Sequence, residues 1–304
     1  KGLWNMGNVY QKLRQYEKAI KCYDTAIKHA KKPALKSVIG ALPMHVEVIW
    51  NSWGDALYNL GRYKEALKCF EKASNLNKKW RYPLCEQARI LRSSGEYEEA
   101  LKCNNAAIKY NKNDTVAWDQ KGSTYYIMGR YKEALKYFEK AIELDKKWDY
   151  PWCHKGDALY ELGKSEEAIE YYDKAICLDE EWSYAWNSKG LCFSELGQYK
   201  KAIKNYDKAI ELDKKSKYAW KNKGNALYNL DQYEEALKYF EKAIELDKKW
   251  KYPWSNKGDV LFWLDDHEKA IICYDKAIEL DRKWKHPLRY KGNALQALGR
   301  YKEA

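Results

Sequence analysis

The chain has 304 residues, of which 45% are hydrophobic and 33% are charged, and 56 Lys and Arg against 44 Asp and Glu give it a formal net charge of +12. No apolar run is long enough to span a membrane, and the first residues, KGLWNMGNVY, follow the helical pattern of the later sequence rather than that of a signal peptide. The eight cysteines form no Cys-x-x-Cys pair. We therefore expect a cytoplasmic protein with reduced thiols, whose positive charge favours acidic partners.

The sequence repeats with a period of 34 residues, as two series of small residues show. Within one unit, Trp220, Leu227 and Leu230 recur near one and two helical turns, and a second helical pattern follows from Ala236. Each unit is therefore predicted to be a helical hairpin whose two helices touch at the small residues. The series are Gly54, Ala88, Gly122, Gly156, Gly190, Gly224, Gly258, Gly292 and Ala66, Ala100, Ala134, Ala168, Ala202, Ala236, Ala270, Ala304.

In chain order, the units run over residues 1–32, 47–80, 81–114, 115–148, 149–182, 183–216, 217–250, 251–284 and a partial 285–304. Thirteen additional residues lie within 29–46, and they are predicted to form a longer helix or loop on the outside or a partner-binding excursion. The third unit has Ala88, Arg92 and Asn104 at positions where its neighbours mostly have glycine and aromatic residues, so we expect the softest junction there. Residues 1–304 are predicted to be one continuous solenoid without an internal boundary.

The unit 217–250 resembles the tetratricopeptide repeat family in its pattern of Trp220, Gly224, Leu227, Tyr233, Ala236, Phe240 and Ala243. This resemblance implies an all-α, right-handed superhelical solenoid of helix-turn-helix hairpins. One departure is regular: Lys-Lys-Trp stands where the family usually has proline between units. Proline instead lies three residues into the next unit, in a first helical turn where its missing N–H costs nothing, at Pro83, Pro151, Pro253 and Pro287.

No catalytic motif is evident: the chain has no glycine-rich phosphate loop, no Gly-x-Ser-x-Gly and no His-x-x-x-His. The best local cluster for a metal is Cys153, His154 and Asp157, for which ordinary packing and surface roles are the favoured interpretation. We therefore predict a protein that is not an enzyme and has no metal or cofactor. The alternative is the regulatory or substrate-binding region of a larger enzyme.

Family members bind an extended peptide in a concave groove lined by the first helices, and the resemblance implies the same groove here. Tyrosines in the matching positions would give rigid contact area, and asparagines would hold a peptide backbone without reading its sequence. The asparagines Asn225 and Asn256 are expected to face solvent. The predicted groove residues are Tyr150, Asp157, Tyr184, Asn187, Tyr218, Lys221, Asn225, Tyr228, Asn229, Tyr252, Asn256, Asp259, Trp263, Arg289 and Asn293.

Lys221, Asn225 and Asn256 also fit the first three places of the clamp with which some family members hold the C-terminal carboxylate of heat-shock chaperones. The last two places are His286 and Tyr290 here, so the resemblance to that clamp is partial. A chaperone-related or assembly-related scaffold that binds a protein or peptide partner is the predicted function. Nucleic acid or another anionic surface along the Lys-Lys turns is the alternative partner.

The two ends of the sequence predict one further contact. Leu295, Leu298 and Tyr301 in the partial unit are expected to lack part of their cover, as are residues of the first unit at Leu3, Val9, Tyr10 and Leu13. Such faces can satisfy each other between molecules, which predicts head-to-tail self-association. The abrupt ends also lead us to expect a fragment of a longer protein, or ends that another molecule covers.

Overall fold

The computed structural model describes residues 2–30 and 46–304, and all the regular secondary structure there is α-helical. The predicted insertion within 29–46 lies, except for its edges, outside the described residues. None of the described helices combines the length and apolar character that crossing a membrane requires. The all-α class and the helical hairpins are thus confirmed.

The chain divides into two compact units, residues 1–146 and 147–304, which we call the N-terminal and C-terminal units. The prediction of one continuous body over 1–304 stays a prediction. The helices of the N-terminal unit are α1 (Gly2–Lys12), α2 (Tyr16–Ala30), α3 (Val46–Asn59), α4 (Tyr63–Leu76), α5 (Arg81–Ser93), α6 (Tyr97–Tyr110), α7 (Thr115–Ile127) and α8 (Tyr131–Leu144).

In the C-terminal unit, the first helix of each complete hairpin begins at the first residue of a predicted repeat. These residues are 149, 183, 217 and 251. The helices of this unit are α9 (Asp149–Glu161), α10 (Ser165–Leu178), α11 (Ser183–Glu195), α12 (Tyr199–Leu212), α13 (Lys217–Tyr228), α14 (Tyr233–Leu246), α15 (Lys251–Trp263), α16 (His267–Leu280) and α17 (Lys285–Ala297).

A glycine in the first helix faces an aromatic ring in the second helix of the same hairpin. A Cβ atom at Gly224 would lie 2.7 Å from Cε1 of Phe240, and one at Gly190 would lie 2.6 Å from Cε1 of Tyr206. Real Cβ atoms essentially never come so close to a ring, so only glycine permits this approach of the two backbones. The sequence-based prediction of a close contact at these glycines is confirmed.

The short turn inside each hairpin requires a left-handed residue. Gly163 and Gly197 have φ angles of 72° and 70°, which glycine adopts without steric cost. Asp231 and Asp265 occupy the same position with φ angles of 58° and 59°. Because aspartate tolerates this region better than most residues, the hairpins retain their geometry there at some cost in stability.

The third hairpin has neither the glycine nor the ring. Ala88 and Asn104 take their places, and both are completely buried. The amide nitrogen of Asn104 donates to Oγ1 of Thr124 at 3.4 Å, while its Oδ1 has no hydrogen-bond partner in the described part of the chain. The two differences compensate for each other sterically. The Cβ of Ala88 occupies space that the ring takes in the other hairpins, and the smaller side chain of Asn104 leaves that space free. Whether this hairpin is the softest stays a prediction.

The predicted exposure at the chain ends was partly wrong. Leu295 is only 2% exposed because it packs with Ile271 and Ala294. Leu298 is half-buried and Tyr301 is 74% exposed. In the first helix, Leu3 and Tyr10 are half-buried against the core, whereas Val9 and Leu13 are exposed. Head-to-tail self-association stays a prediction.

We predict that Gly224→Ala destabilises the protein by about 1–3 kcal/mol, the usual cost of overpacking a close contact. Gly292→Ala is the matched control, because a Cβ there meets only a backbone oxygen at 3.8 Å. The control should be neutral or stabilising by up to about 1 kcal/mol, since alanine favours helix over glycine. Urea unfolding of both variants measures the difference, and equal effects would contradict the steric account.

We also predict that Ala88 and Asn104 are energetically coupled. Asn104→Phe alone should destabilise the protein, because the ring would meet the Cβ of Ala88. Ala88→Gly together with Asn104→Phe should restore the contact that the other hairpins have. A double-mutant cycle by urea unfolding should give a coupling energy of about 1–3 kcal/mol. Additive effects of the two substitutions would show that the positions do not compensate for each other.

Candidate functional site

Four tyrosines form an exposed row on the first helices of the C-terminal unit, which we call the tyrosine ladder: Tyr150, Tyr184, Tyr218 and Tyr252. Each is the second residue of its helix, and each side chain is 46% to 55% exposed. Large apolar groups are seldom left this exposed at repeated positions without a binding role. These four predicted groove tyrosines are therefore accessible to a ligand.

Tryptophans in the turns between hairpins hold the ladder in place. Tyr150 has its ring centroid 6.0 Å from that of Trp148 and 4.8 Å from that of Trp182. Tyr252 lies in the same way between Trp250, at 6.2 Å, and Trp284, at 5.2 Å. These tryptophans were not among the predicted site residues, although the recurrence of Trp-x-Tyr at four junctions, beginning at residues 80, 148, 182 and 250, is the signal that identifies them. Residue 216 is a serine, so the row of tryptophans is interrupted there.

Two lysines contact the tryptophans that follow them in the chain, Lys217 with Trp250 and Lys251 with Trp284. Nζ of Lys217 pairs with Asp247 at 2.5 Å and lies 5.0 Å from the ring centroid of Trp250. Lys251 makes the equivalent contacts with Asp281 and with the ring of Trp284. Lys221, a predicted groove residue, has its ammonium 5.8 Å from the ring of Trp250, and burial lowers its pKa. These contacts hold Trp250 and Trp284 in place, and the two indole rings in turn pack against Tyr218 and Tyr252.

The predicted groove asparagines do not simply face solvent. Nδ2 of Asn256 donates to Oδ1 of Asn225 at 2.6 Å, and both residues are half-buried. Asn187 is only 8% exposed, and its oxygen accepts from Nδ2 of Asn222 at 3.0 Å. The solvent-facing prediction for Asn225 and Asn256 is therefore only partly right, because the first helices of adjacent hairpins pack against each other there. Asn229 is exposed, and Nδ2 donates to the backbone oxygen of Asn225.

Two pockets open beside the paired asparagines, with volumes of about 330 and 240 Å³. Asn225 and Asn229 line both pockets, so the two are adjacent. The larger pocket is lined by Tyr160, Leu191, Ser194, Glu195, Tyr199, Tyr206, Asn222, Asn225 and Asn229. The smaller one, which we call the Asp259 pocket, is lined by Asn225, Tyr228, Asn229, Phe240, Asn256 and Asp259.

Asp157 and Asp259 occupy the same repeat position in different surroundings. The hydroxyls of Tyr172 and Tyr184 donate to the two oxygens of Asp157 at 2.7 and 3.1 Å. This carboxyl is 9% exposed, and burial raises its pKa. Asp157 was predicted to face the groove, and the structure instead places it beneath the tyrosine ladder with both oxygens bonded.

Asp259 has one hydrogen bond where Asp157 has two. The hydroxyl of Tyr274 donates to Oδ1 at 3.0 Å. Nε2 of His286 lies 3.8 Å from Oδ2, which is beyond hydrogen-bond distance. Burial raises the pKa of Asp259 from its ordinary value of 3.8 to about 6.

The remaining predicted residues lie at the edge of this face. Trp263 is 56% exposed, and its Nε1–H donates to the hydroxyl of Tyr228 at 2.8 Å. Arg289 is exposed, with its guanidinium 5.4 Å from the ring centroid of Tyr290. Asn293 is half-buried on α17. The structure therefore brings Tyr228, Asn225, Asn256, Asp259 and Trp263 together, and leaves Arg289 and Asn293 outside both pockets.

The described residues contain no group of three His, Cys, Asp or Glu side chains that could hold a metal ion. Cys153 is completely buried, so the cluster considered from the sequence does not open to solvent. Burial also raises the pKa of the Cys192 thiol to about 12, which keeps it neutral at physiological pH. The chemistry that this face offers is aromatic contact and hydrogen bonding.

Family models described as tetratricopeptide repeat match residues 5–33, 183–216, 218–249 and 252–283 with one model, 114–181 with a second and 48–80 with a third. No curated protein matches the chain. Similar solved structures include a tetratricopeptide repeat protein from Parabacteroides merdae ATCC 43184, at 14% identity and a TM-score of 0.63, covering 82% of this chain and 98% of that one.

Two more solved structures are similar. The APC/C hetero-tetramer Cut9-Hcn1 matches at 17% identity and a TM-score of 0.62, covering 97% of this chain and 69% of that one. TTC0263, a thermophilic TPR protein in Thermus thermophilus, matches at 21% identity and a TM-score of 0.53, covering 60% of this chain and 99% of that one. At these identities the likeness shows the fold alone.

The raised pKa of Asp259 predicts a pH dependence of stability. Between about pH 4 and pH 6 the native state binds more protons than the unfolded chain, so the free energy of unfolding should fall as the pH rises through this range and then level off. Asp259→Asn removes this loss, because an amide is not ionised, and it retains an acceptor for Tyr274.

We expect Asp259→Asn to be more stable than the parent chain by about 1–3 kcal/mol at pH 7.5 and to lose that advantage near pH 4. Urea unfolding at both pH values measures this. Asp265→Asn is the control, because it removes a carboxylate whose side chain is 94% exposed. A difference between Asp259→Asn and the parent chain that does not change with pH would contradict the prediction.

Proposed function

Since the chain belongs to the tetratricopeptide repeat family, we propose that it is a non-catalytic scaffold that holds an extended segment of a protein partner against the first helices of the C-terminal unit. The observation that supports this proposal most is the tyrosine ladder. Its rings are exposed to solvent and yet fixed by the tryptophans and lysines of the turns.

A rigid, exposed aromatic row is suited to binding because its side chains lose little conformational entropy in a complex. Tyrosine adds a hydroxyl that can pair with polar groups of the partner, so the same ring accepts mixed sequences. Successive ladder residues are 34 positions apart in the sequence, one on each first helix. An extended segment that crosses these helices would contact one tyrosine per hairpin.

The paired asparagines supply polar contacts beside the ladder. The hydrogen bond from Asn256 to Asn225 uses one donor and one acceptor. It leaves the side-chain nitrogen of Asn225 and the oxygen of Asn256 for a ligand, since each amide has two donors and one acceptor oxygen. A peptide backbone presents both complementary groups at every residue. Amides placed next to open pockets therefore favour an extended peptide as the ligand.

Nucleic acid or another anionic surface along the lysine-rich turns is the alternative partner. Lys214, Lys215, Lys248, Lys249 and Lys283 are all exposed. The two partners differ in salt dependence, because contacts with phosphates release counterions and contacts with aromatic and amide groups do not. A steep loss of affinity with added salt would favour nucleic acid, and a shallow one would favour a peptide.

We predict that Tyr218→Ala with Tyr252→Ala weakens peptide binding at least about tenfold, because two of the four aromatic contacts of the ladder are lost. Peptides selected from a phage-displayed library of linear sequences on the parent chain provide the ligand, and fluorescence anisotropy measures its affinity.

Tyr301→Ala is the matched control, since Tyr301 is 74% exposed and lies outside the ladder. It should leave the affinity unchanged, and circular dichroism should show that all variants retain their helical content. If no peptide is enriched, or if the ladder variant binds as tightly as the control, the proposed function is wrong.

A further inference from the structure

The Asp259 pocket is the most selective feature of the first-helix face. Its volume of about 240 Å³ is below the range of about 300–1,000 Å³ in which drug-sized ligands bind, and its dimensions suit one long side chain. The lining includes a carboxyl group, three asparagines and a tyrosine. The amides present donors as well as acceptor oxygens, and the carboxyl of Asp259 is the one formally charged group of the lining.

Comparison with Asp157 shows that the carboxyl in this pocket lacks a donor. The hydroxyl of Tyr184 donates to Asp157 from the following first helix. The residue at the same repeat position after Asp259 is His286, and its Nε2 remains 3.8 Å from Oδ2. Nδ1 of His286 is hydrogen-bonded to Oγ of Ser255 at 3.1 Å, which keeps the ring in that orientation. One oxygen of a largely buried carboxylate is therefore short of a hydrogen-bond donor.

The rim of the pocket adds a second preference for positive charge. Tyr228 lines the pocket, and the indole nitrogen of Trp263 donates to its hydroxyl. Trp263 is not part of the pocket lining, but this hydrogen bond places its 56% exposed side chain next to Tyr228. The faces of tyrosine and tryptophan rings attract cations. The groove cation Lys221 lies over Trp250 and so does not neutralise Asp259.

We propose that the Asp259 pocket binds a basic side chain, Lys or Arg, of the extended peptide that the first-helix face holds. This rests on the proposed function and deepens it. An ammonium or guanidinium group supplies the missing donor to Oδ2 and a full positive charge, which His286 at 3.8 Å supplies only when its ring is protonated. An acidic side chain is repelled, and an apolar one leaves Oδ2 without a donor.

The test uses the phage-displayed linear peptides selected on the parent chain at pH 7.5. We expect Lys or Arg to be enriched at one position of the selected peptides. Replacing that residue by norleucine, which keeps the chain of carbons and removes the charge, should weaken binding to the parent chain at least about tenfold, the size expected for one charge-assisted hydrogen bond. Binding to Asp259→Asn should change less than about twofold on the same replacement.

Asp265→Asn should discriminate between the two peptides as the parent chain does, because its carboxylate is exposed in a turn. Peptides that need the tyrosine ladder but have no preferred basic residue would overturn the inference and leave the proposed function intact. If norleucine weakens binding to Asp259→Asn as much as binding to the parent chain, the inference is also overturned, because the positive charge would then be bound at another site. If no peptide is enriched, the proposed function and the inference are both wrong.

Discussion

The close contact between a glycine and an aromatic ring inside most of the hairpins is the constraint on which the rest of the structure depends. Gly224 and Phe240 are sixteen positions apart, and glycine alone allows the ring to lie against the first helix. The same contact recurs in seven of the eight complete hairpins described. Because it fixes how the two helices cross, the hairpins that contain it present the same positions to their neighbours within each unit. A fixed crossing is what converts a sequence period into a repeated surface.

Stacking then decides which side chains meet. Hydrogen-bond partners on neighbouring first helices are separated by roughly one repeat in the sequence. Tyr184 and Asp157 are 27 positions apart, Asn256 and Asn225 are 31 apart, and Trp263 and Tyr228 are 35 apart. Each pair combines a residue of one hairpin with a residue of the next. The candidate site is therefore a property of adjacent hairpins, and no single repeat contains it.

This dependence explains which predictions from the sequence succeeded. The period and the small residues predicted the helical hairpins and the close contact inside them, since these follow from contacts within one unit. The solvent exposure predicted for Asn225 and Asn256 was too high, because the helix of the neighbouring hairpin covers part of each side chain. Leu295 was wrongly predicted to lack cover, since Ile271 on the preceding hairpin packs against it. The sequence period predicts contacts within one repeat, but it does not predict how far the adjacent hairpin buries a given side chain.

The carboxyl groups at one repeat position show how neighbours turn a shared position into different chemistry. Asp55 accepts from Tyr82 at 3.2 Å and from Nδ2 of Asn51 at 3.1 Å, and burial together with nearby Glu86 raises its pKa to about 7. Asp157 and Asp259 differ from each other mainly in whether tyrosine or histidine follows on the next first helix. A tyrosine hydroxyl donates to the second carboxylate oxygen, so that both oxygens of Asp157 are hydrogen-bonded within the protein. A histidine held away by another hydrogen bond leaves the carboxylate of Asp259 incomplete, and an incomplete buried carboxylate beside an open pocket favours a ligand that brings its own positive charge.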